Sequence, residues 1–356
     1  MFRILVINPG STSTKTAVYE DEHCRWETVL VHPDDQLASF SPVTAQLDYR
    51  LSRLSAVLTD KGFEPEGFAA VVARGGLLRP LAGGVYLVDR EMEDDLAANR
   101  FGEHASNLGA IMARRLAARA GLPAFTVDPV SVDELDGVAR FSGLKGLPRV
   151  SLSHALNNKA VAREVSARLG RDYTDVNLVV VHLGSGISVS AHRGGRMVDV
   201  NNAGSEGPFS LERCGTLPAL ALIELCCSRQ CRRAELAELV TRKGGLYSYL
   251  GTRELRRVEE MVAAGDGEAA EVVAAMVYQV SKEIGAMAAV LTGRVDRVVL
   301  TGGMAHSRLI TAPIAKRVSF IAPVEVLPGE REMEALALGI LRVLRGREQA
   351  LAYGRG

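Results

Sequence analysis

No apolar run in this chain reads as a membrane span. The most apolar long stretch, residues 272–292, carries Lys282 and Glu283 at its middle, which predicts a buried helix instead. The N-terminus has no apolar h-region, since only residues 4–7 precede Asn8 and Pro9, and no signal peptide is expected. A surplus of charge is missing as well. Lys plus Arg number 42 and Asp plus Glu number 42, so neither nucleic acid nor a membrane surface is an expected partner, because either calls for a basic excess or patch. Cysteines are few and odd in number: Cys24, Cys214, Cys226, Cys227 and Cys231. That argues against a disulfide framework and for a reducing, cytoplasmic setting. Cys227 and Cys231 share a helical face, yet no histidine or second cysteine pair stands at zinc spacing. The five read as small buried hydrophobes.

What is present is a chain of 356 residues, 47% hydrophobic and 24% charged, enough for two ordinary domains or one large one. Apolar runs at 4–7, 69–73, 178–181 and 297–301 predict buried strands. Helical patterns cover 105–120, 154–169, 217–228, 268–291 and 334–345. The alternation predicts an α/β protein with mixed sheets. The Gly/Pro-rich stretch 142–148, SGLKGLP, is the expected boundary: a first domain 1–148 completed by 333–356, and a second domain 149–332.

Two segments echo each other. ILVINPGSTSTKTAVYE and LVVVHLGSGISVSAHRG align at an offset of 174 residues. Asn8 then falls on His182, Gly10 on Gly184, Ser11 on Ser185, Thr14 on Ser188 and Ala17 on Ala191. Each block reads as strand, glycine turn, second strand, because the residues after the turn alternate with a period of two. Gly10 to Lys15-Thr16 nearly spells a Walker loop. The glycine expected before the lysine is Thr14, however, and a strand follows where a helix must open. The alternative is a pair of hairpin turns whose N–H groups receive phosphate oxygens. A third glycine signal, Gly302-Gly303, ends the strand near 297–301 and suits close approach to a flat ligand.

These elements, in this order, resemble the acetate and sugar kinase/Hsp70/actin superfamily, and within it the acetokinase family. INPGSTSTK is similar to the family's phosphate-1 hairpin, HLGSGIS to its phosphate-2 hairpin and LTGGMAHS to its adenosine loop. RGGLLRPLAGG, FGEHASNLGA, RVSLSHALNNKAVARE and DVNNAGSEGPFSLERCGTLP resemble its butyrate-kinase and branched-chain fatty-acid-kinase branch. The resemblance implies a two-domain actin-like ATPase fold, ribonuclease H-like, with duplicated mixed sheets and a cleft between domains. The first domain would bind acid and phosphate; the second would bind nucleotide and carry oligomerisation, as a homodimer or larger homo-oligomer. It also implies ATP as co-substrate, Mg²⁺, and reversible phosphorylation of a short-chain fatty acid to an acyl phosphate.

By the same resemblance, Asn8, Gly10, Ser11, His182, Gly184, Ser185, Gly186, Gly302 and Gly303 would bind nucleotide and phosphate. Lys15 would reach a phosphate as a point charge. Asp128 and Glu332 would hold the metal, with Glu330 and Glu334 as rivals of the latter. His154, in SLSHALNN, precedes a predicted helix, where an anion is welcome; in the family this motif carries a histidine that stabilises the transition state. His104 matches a histidine near the acyl-phosphate path. The two arginines that flank substrate in acetate kinases fall on Val71 and Leu217, so Arg74, with Arg79 nearby, and Arg213 are expected to supply that charge. Ser185 stands where many relatives have glycine or asparagine.

A carboxylate is already a nucleophile, so the expected reaction needs charge neutralisation and in-line alignment more than a strong base. Acetate and butyrate differ by two methylenes. Each contributes about 0.8 kcal/mol on burial, and enzymes discriminate one by about 1–3 kcal/mol. A preference between them is thus feasible, and the resemblance to the butyrate-kinase branch implies a butyrate-type acid, with isobutyrate and other branched acids open. The alternatives are an acetate or propionate kinase and, from another class, a nucleotide-binding sensor of the superfamily.

Overall fold

A computed structural model describes residues 1–228 and 232–354 of the chain; Cys231 lies outside the described residues. Two compact units form. One is Met1–Val132 with the C-terminal segment from Arg331, the other Asp133–Glu330. Residues 133–148 thus fall in the second unit, where the sequence placed them in the first. The reason is local bonding. Asp136 N–H donates to Val198 O at 2.9 Å, Met197 N–H donates to Glu134 Oε2 at 2.8 Å, and Lys159 Nζ donates to both Glu134 oxygens.

The first unit holds strands β1 (Arg3–Pro9), β2 (Ser13–Glu20), β3 (His23–Val31), β4 (Ala70–Ala73), β5 (Val85–Leu87) and β6 (Ala124–Val127). They form one sheet in the order β3-β2-β1-β4-β6-β5. The second unit holds β7 (Leu178–Leu183), β8 (Ile187–Arg193), β9 (Arg196–Val200), β10 (Arg297–Gly302) and β11 (Val324–Pro328), in the order β11-β10-β7-β8-β9. In each, an antiparallel meander of three strands continues into parallel neighbours. The echo read over seventeen residues therefore extends to five strands of each sheet. The hairpins are not identical. Pro9 pairs with Thr14 across a four-residue turn, while Leu183 pairs with Ile187 across three residues. The offset that aligns the glycines is one residue out of step with the strand pairing.

Parallel central strands are covered on both faces and so read as continuous apolar runs. Along β7, Val179, Val181 and Leu183 share a cluster with the helices Gly267–Val290 and Arg308–Val318. Leu178 and Val180 face the helix Ala155–Arg168 instead. In the first unit, Leu5 and Ile7 pack with the helices Leu47–Asp60 and Asn107–Arg119. The helix Glu332–Leu344 lies against β1 and β6. A β-carbon at Gly339 would sit 2.7 Å from a Val127 methyl, so that close approach requires glycine.

The cysteine expectation fails. Cys24, Cys226 and Cys227 are exposed and Cys214 is half-buried. Cys24 sits on edge strand β3, and the helix Ala219–Ser228 buries none of its residues despite its apolar sequence. No described helix is long and apolar enough to cross a membrane.

One buried group sets a pH dependence. His192 on β8 is fully buried between Tyr173 Oη, 2.6 Å from its Nδ1, and Ser190 Oγ, 2.8 Å from its Nε2. Burial, reinforced by Lys159 and Arg163, pushes its pKa from 6.5 down to about 3. The unfolded chain therefore takes up a proton below pH 6.5 that the folded chain refuses. Stability should fall as pH drops from 6.5 toward 3, by up to about 1.4 kcal/mol per pH unit from this residue. Urea unfolding across that window should show a shallower pH slope for His192→Gln than for wild type. Equal slopes would contradict this.

Candidate active site

In the first unit, Asn8, Arg74 and Asp128 stand at the C-terminal ends of three adjacent parallel strands, β1, β4 and β6. Ligands of open α/β sheets collect at such an edge. Asn8 is buried, and its Nδ2 donates to Glu332 Oε2 at 2.6 Å. The same oxygen accepts from Arg74 Nη1 at 3.0 Å. Parallel pairing sets Arg74 beside Asn8, since Arg74 N–H donates to Ile7 O at 3.0 Å. Glu332 arrives as the first residue of the helix Glu332–Leu344, where a carboxylate suits the helix dipole. Of its rivals, Glu334 is exposed and Glu330 belongs to the second unit.

Asp128 is buried and holds a left-handed φ of +38°, uncommon for an L residue but adopted more readily by aspartate than by most. Two hydrogen bonds tie it to Gly84. Gly84 N–H donates to Asp128 Oδ1 at 2.8 Å, and Asp128 N–H donates to Gly84 O at 2.9 Å. Among the described residues no group of three or more His, Cys, Asp or Glu is gathered that could hold a metal ion. Magnesium asks for less: one or two carboxylates, with phosphate oxygens and waters completing six ligands. Asp128 and Glu332 are buried carboxylates in this unit, and Glu332 Oε2 already accepts from Asn8 and Arg74.

His104 is exposed just ahead of the helix Asn107–Arg119. Its Nδ1 accepts from Ser106 N–H at 3.2 Å and lies 2.7 Å from Ser106 Oγ. Arg79 does not join the Asn8 group. It pairs with Glu91 and Asp95 and lies 4.4 Å over the Tyr353 ring, which ties down the C-terminal segment. At the glycine turn, Thr14 and Thr16 are fully buried while Lys15 is exposed. Ser11 and Thr12 are therefore the turn's outward hydroxyls. A β-carbon at Gly10 would meet nothing nearer than 3.5 Å, so the protein itself does not demand glycine there.

The second unit brings several predicted residues together. His182 ends β7 and is buried; His154 precedes the helix Ala155–Arg168. Their rings stack at 3.8 Å with an interplanar angle of 8°. His154 Nδ1 lies 3.1 Å from Ser188 Oγ. Asn157 Nδ2 donates to His182 Nδ1 at 2.9 Å, so the ring's own proton belongs on Nε2. That buried nitrogen has no hydrogen-bond partner, and Glu330 Oε1, at 3.7 Å, is beyond reach. Arg213 covers the adjoining turn: a β-carbon at Gly186 would fall 2.4 Å from its Nη1. Arg213 Nη1 donates to Ala203 O at 2.9 Å, and burial holds its guanidinium below the ordinary value. Ser210 Oγ donates to Ser185 O, fixing the turn. A β-carbon at Gly184 would sit 3.0 Å from His182 Nε2.

Gly302 is required by geometry. Its φ is +89°, and a β-carbon would lie 2.4 Å from Leu183 O. Gly303 has open space at the same position. Asn157 escaped the sequence reading although its motif was quoted. Its signal was the pair Asn157-Asn158 inside a helix, where asparagine is unfavourable without a reason.

The chain matches the Acetokinase family over residues 146–321. It is 50% identical over 353 residues to a probable butyrate kinase of Listeria monocytogenes, covering 99% of each chain. It is 48% identical, with the same coverage, to butyrate kinase 2 of Clostridium acetobutylicum. Among solved structures it resembles the acetate kinase of Porphyromonas gingivalis, with a TM-score of 0.79 at 19% identity over 96% of this chain and 99% of that one. The propionate kinase of Francisella tularensis gives 0.75 at 17% over 95% and 99%. The likeness to these two is one of fold: two mixed sheets flanked by helices. With identity near one half along almost its whole length, the chain belongs to the acetokinase family.

Proposed function

We propose that the protein transfers the terminal phosphoryl group of ATP, reversibly, to the carboxylate of a short-chain fatty acid, butyrate or a branched acid of similar size. The observation that carries this is the buried His182 Nε2–H beside the Gly184–Gly186 turn, with His154 stacked on it and Arg213 across the turn. Such a cluster suits an anion and is not built around a strong base, although Glu330 Oε1 stands 3.7 Å from His182 Nε2. A carboxylate nucleophile requires none. What the transfer needs is offset of the charge on two anions and their alignment. In this reading His154 and His182 donate to the migrating phosphoryl, Arg213 and Arg74 offset charge, and His104 lines the acid's approach. The N–H groups of both glycine turns, with Lys15, receive phosphate oxygens. Gly302 and Gly303 leave room for adenosine. Asn8 holds Glu332, and Asp128 with Glu332 would hold Mg²⁺, which supplies charge neutralisation between phosphate oxygens when bound. This reading sets the enzyme in the cytoplasm, where ATP is available to it.

Hydroxamate formation tests the activity. With MgATP, hydroxylamine and a panel of two- to five-carbon acids, product is expected with the four- and five-carbon acids. Product confined to acetate and propionate would reassign the acid, and ATP loss without hydroxamate would refute acyl-phosphate formation.

The second unit is also proposed to associate with a second copy. The helix Ala219–Ser228 buries no residue and exposes Leu220 and Ile223, an apolar surface of the kind that marks an interface. Light scattering should give a homodimer or larger, and Leu220→Asp with Ile223→Asp should reduce its size. An unchanged mass would count against this surface.

A further inference from the structure

We propose that Arg50 is a positioning residue: from behind the first glycine turn it holds the N–H groups of Ser11 and Thr12 outward and lends the turn a positive charge for the nucleotide's phosphates. The inference rests on the reading of that turn as phosphate-binding. Arg50 lies on the helix Leu47–Asp60 and is fully buried. Its Nη1 donates to Gly10 O at 2.9 Å, Ser13 O at 3.0 Å and Thr14 Oγ1 at 3.2 Å. Its Nη2 donates to Ser11 O at 2.9 Å. The remaining carbonyl, Thr12 O, accepts from His32 N–H at 2.8 Å. Every carbonyl of the turn is thus hydrogen-bonded within the protein, those of Gly10 and Ser11 to Arg50 itself, and Gly10 N–H is taken by Ser13 O at 2.8 Å. In a trans peptide the N–H points opposite to the preceding C=O, so the N–H groups of Ser11 and Thr12 point outward, where both residues are exposed. Successive outward N–H groups form an anion-binding concavity.

Among the described residues no carboxylate forms an ion pair with Arg50. Arg50's other acceptor is Gln46 Oε1, bonded by Nε at 3.0 Å and Nη2 at 2.8 Å. An amide stands where a carboxylate would complete an ion pair. A buried guanidinium among neutral oxygens is costly unless hydrogen-bonded or paired. Here hydrogen bonds hold it, and the opposite charge is left for an anion on the turn's outer side. Burial keeps the guanidinium below its ordinary pKa. Burial first, then Arg50 and Arg53, push neighbouring His32 down to about 4.

Gln46→Glu tests the charge without removing the clamp, because a carboxylate accepts the same two bonds. In the full-length variant, ATP affinity by calorimetry should fall about tenfold or more, adenosine affinity should hold, and the melting temperature should stay or rise. Arg50→Lys keeps the charge and loses the fork; it should melt lower and also bind ATP more weakly. A folded Gln46→Glu protein with wild-type ATP affinity would overturn the electrostatic role, and Arg50→Lys with wild-type ATP affinity would overturn the clamp. If wild type binds adenosine as tightly as ATP, the turn is not a phosphate site and both readings fall. That outcome is distinct, because in the others wild type keeps its preference for ATP.

Discussion

Replacing His154 by alanine should lower kcat by about 10²–10³-fold, while the dissociation constant for ATP changes by no more than about threefold. The reason is where its ring sits. It stacks on His182 at 3.8 Å and is oriented through Ser188. A donor held in this way acts most strongly where charge develops in the transition state. Nucleotide affinity comes from other contacts in the proposed reading, namely both glycine turns and the Gly302 loop. Loss of packing alone would mimic part of the effect, so the melting temperature must be measured with the kinetics. His154→Asn gives a second check, since an amide keeps a donor of smaller reach and should restore some turnover. Wild-type turnover in His154→Ala, or parallel loss of turnover and ATP affinity, would remove His154 from the proposed chemistry.

Glu332→Gln is expected to reduce turnover by about 10²-fold or more and to raise the magnesium concentration needed for half activity. The amide oxygen still accepts from Asn8 and Arg74, so the fold should be nearly unaffected. Only the charge is lost, and with it the proposed hold on the cation. Glu334→Gln, on the exposed side of the same helix turn, should stay within about twofold of wild type, because an isolated exposed carboxylate contributes little. Normal turnover and an unchanged magnesium requirement in Glu332→Gln would end the metal-site proposal. Removal of Asn8's acceptor in Glu332→Ala should add a stability loss of about 1–3 kcal/mol, as expected when a buried donor is orphaned.

Much of the fold was legible because its signals are local. The runs at 4–7 and 178–181 lie inside β1 and β7, and the helical patterns at 105–120, 154–169 and 268–291 match observed helices to within two residues at each end. What the patterns missed were elements with mixed faces. Strand β3 is an edge strand, mostly exposed, and only its last three residues, Val29, Leu30 and Val31, form an apolar run. The helix Leu47–Asp60 carries Arg50 on its buried face, which breaks the apolar stripe by which such a helix is read. The exposed cysteines of Ala219–Ser228 were misjudged for a related reason: an apolar helix signals burial, but not against what.

The chain's own order of residues determined the two glycine hairpins, their spacing, the alternation of strand and helix, and the family to which they belong. These depend on backbone preference and on periodicity within a few neighbouring residues. Tertiary structure alone decided which side chains meet. Asn8 and Glu332 stand 324 positions apart in sequence, His182 finds Asn157 across 25, and Arg50 reaches back 40 to Gly10. Such partners are chosen by strand order, register and helix placement, and no short stretch of sequence contains them.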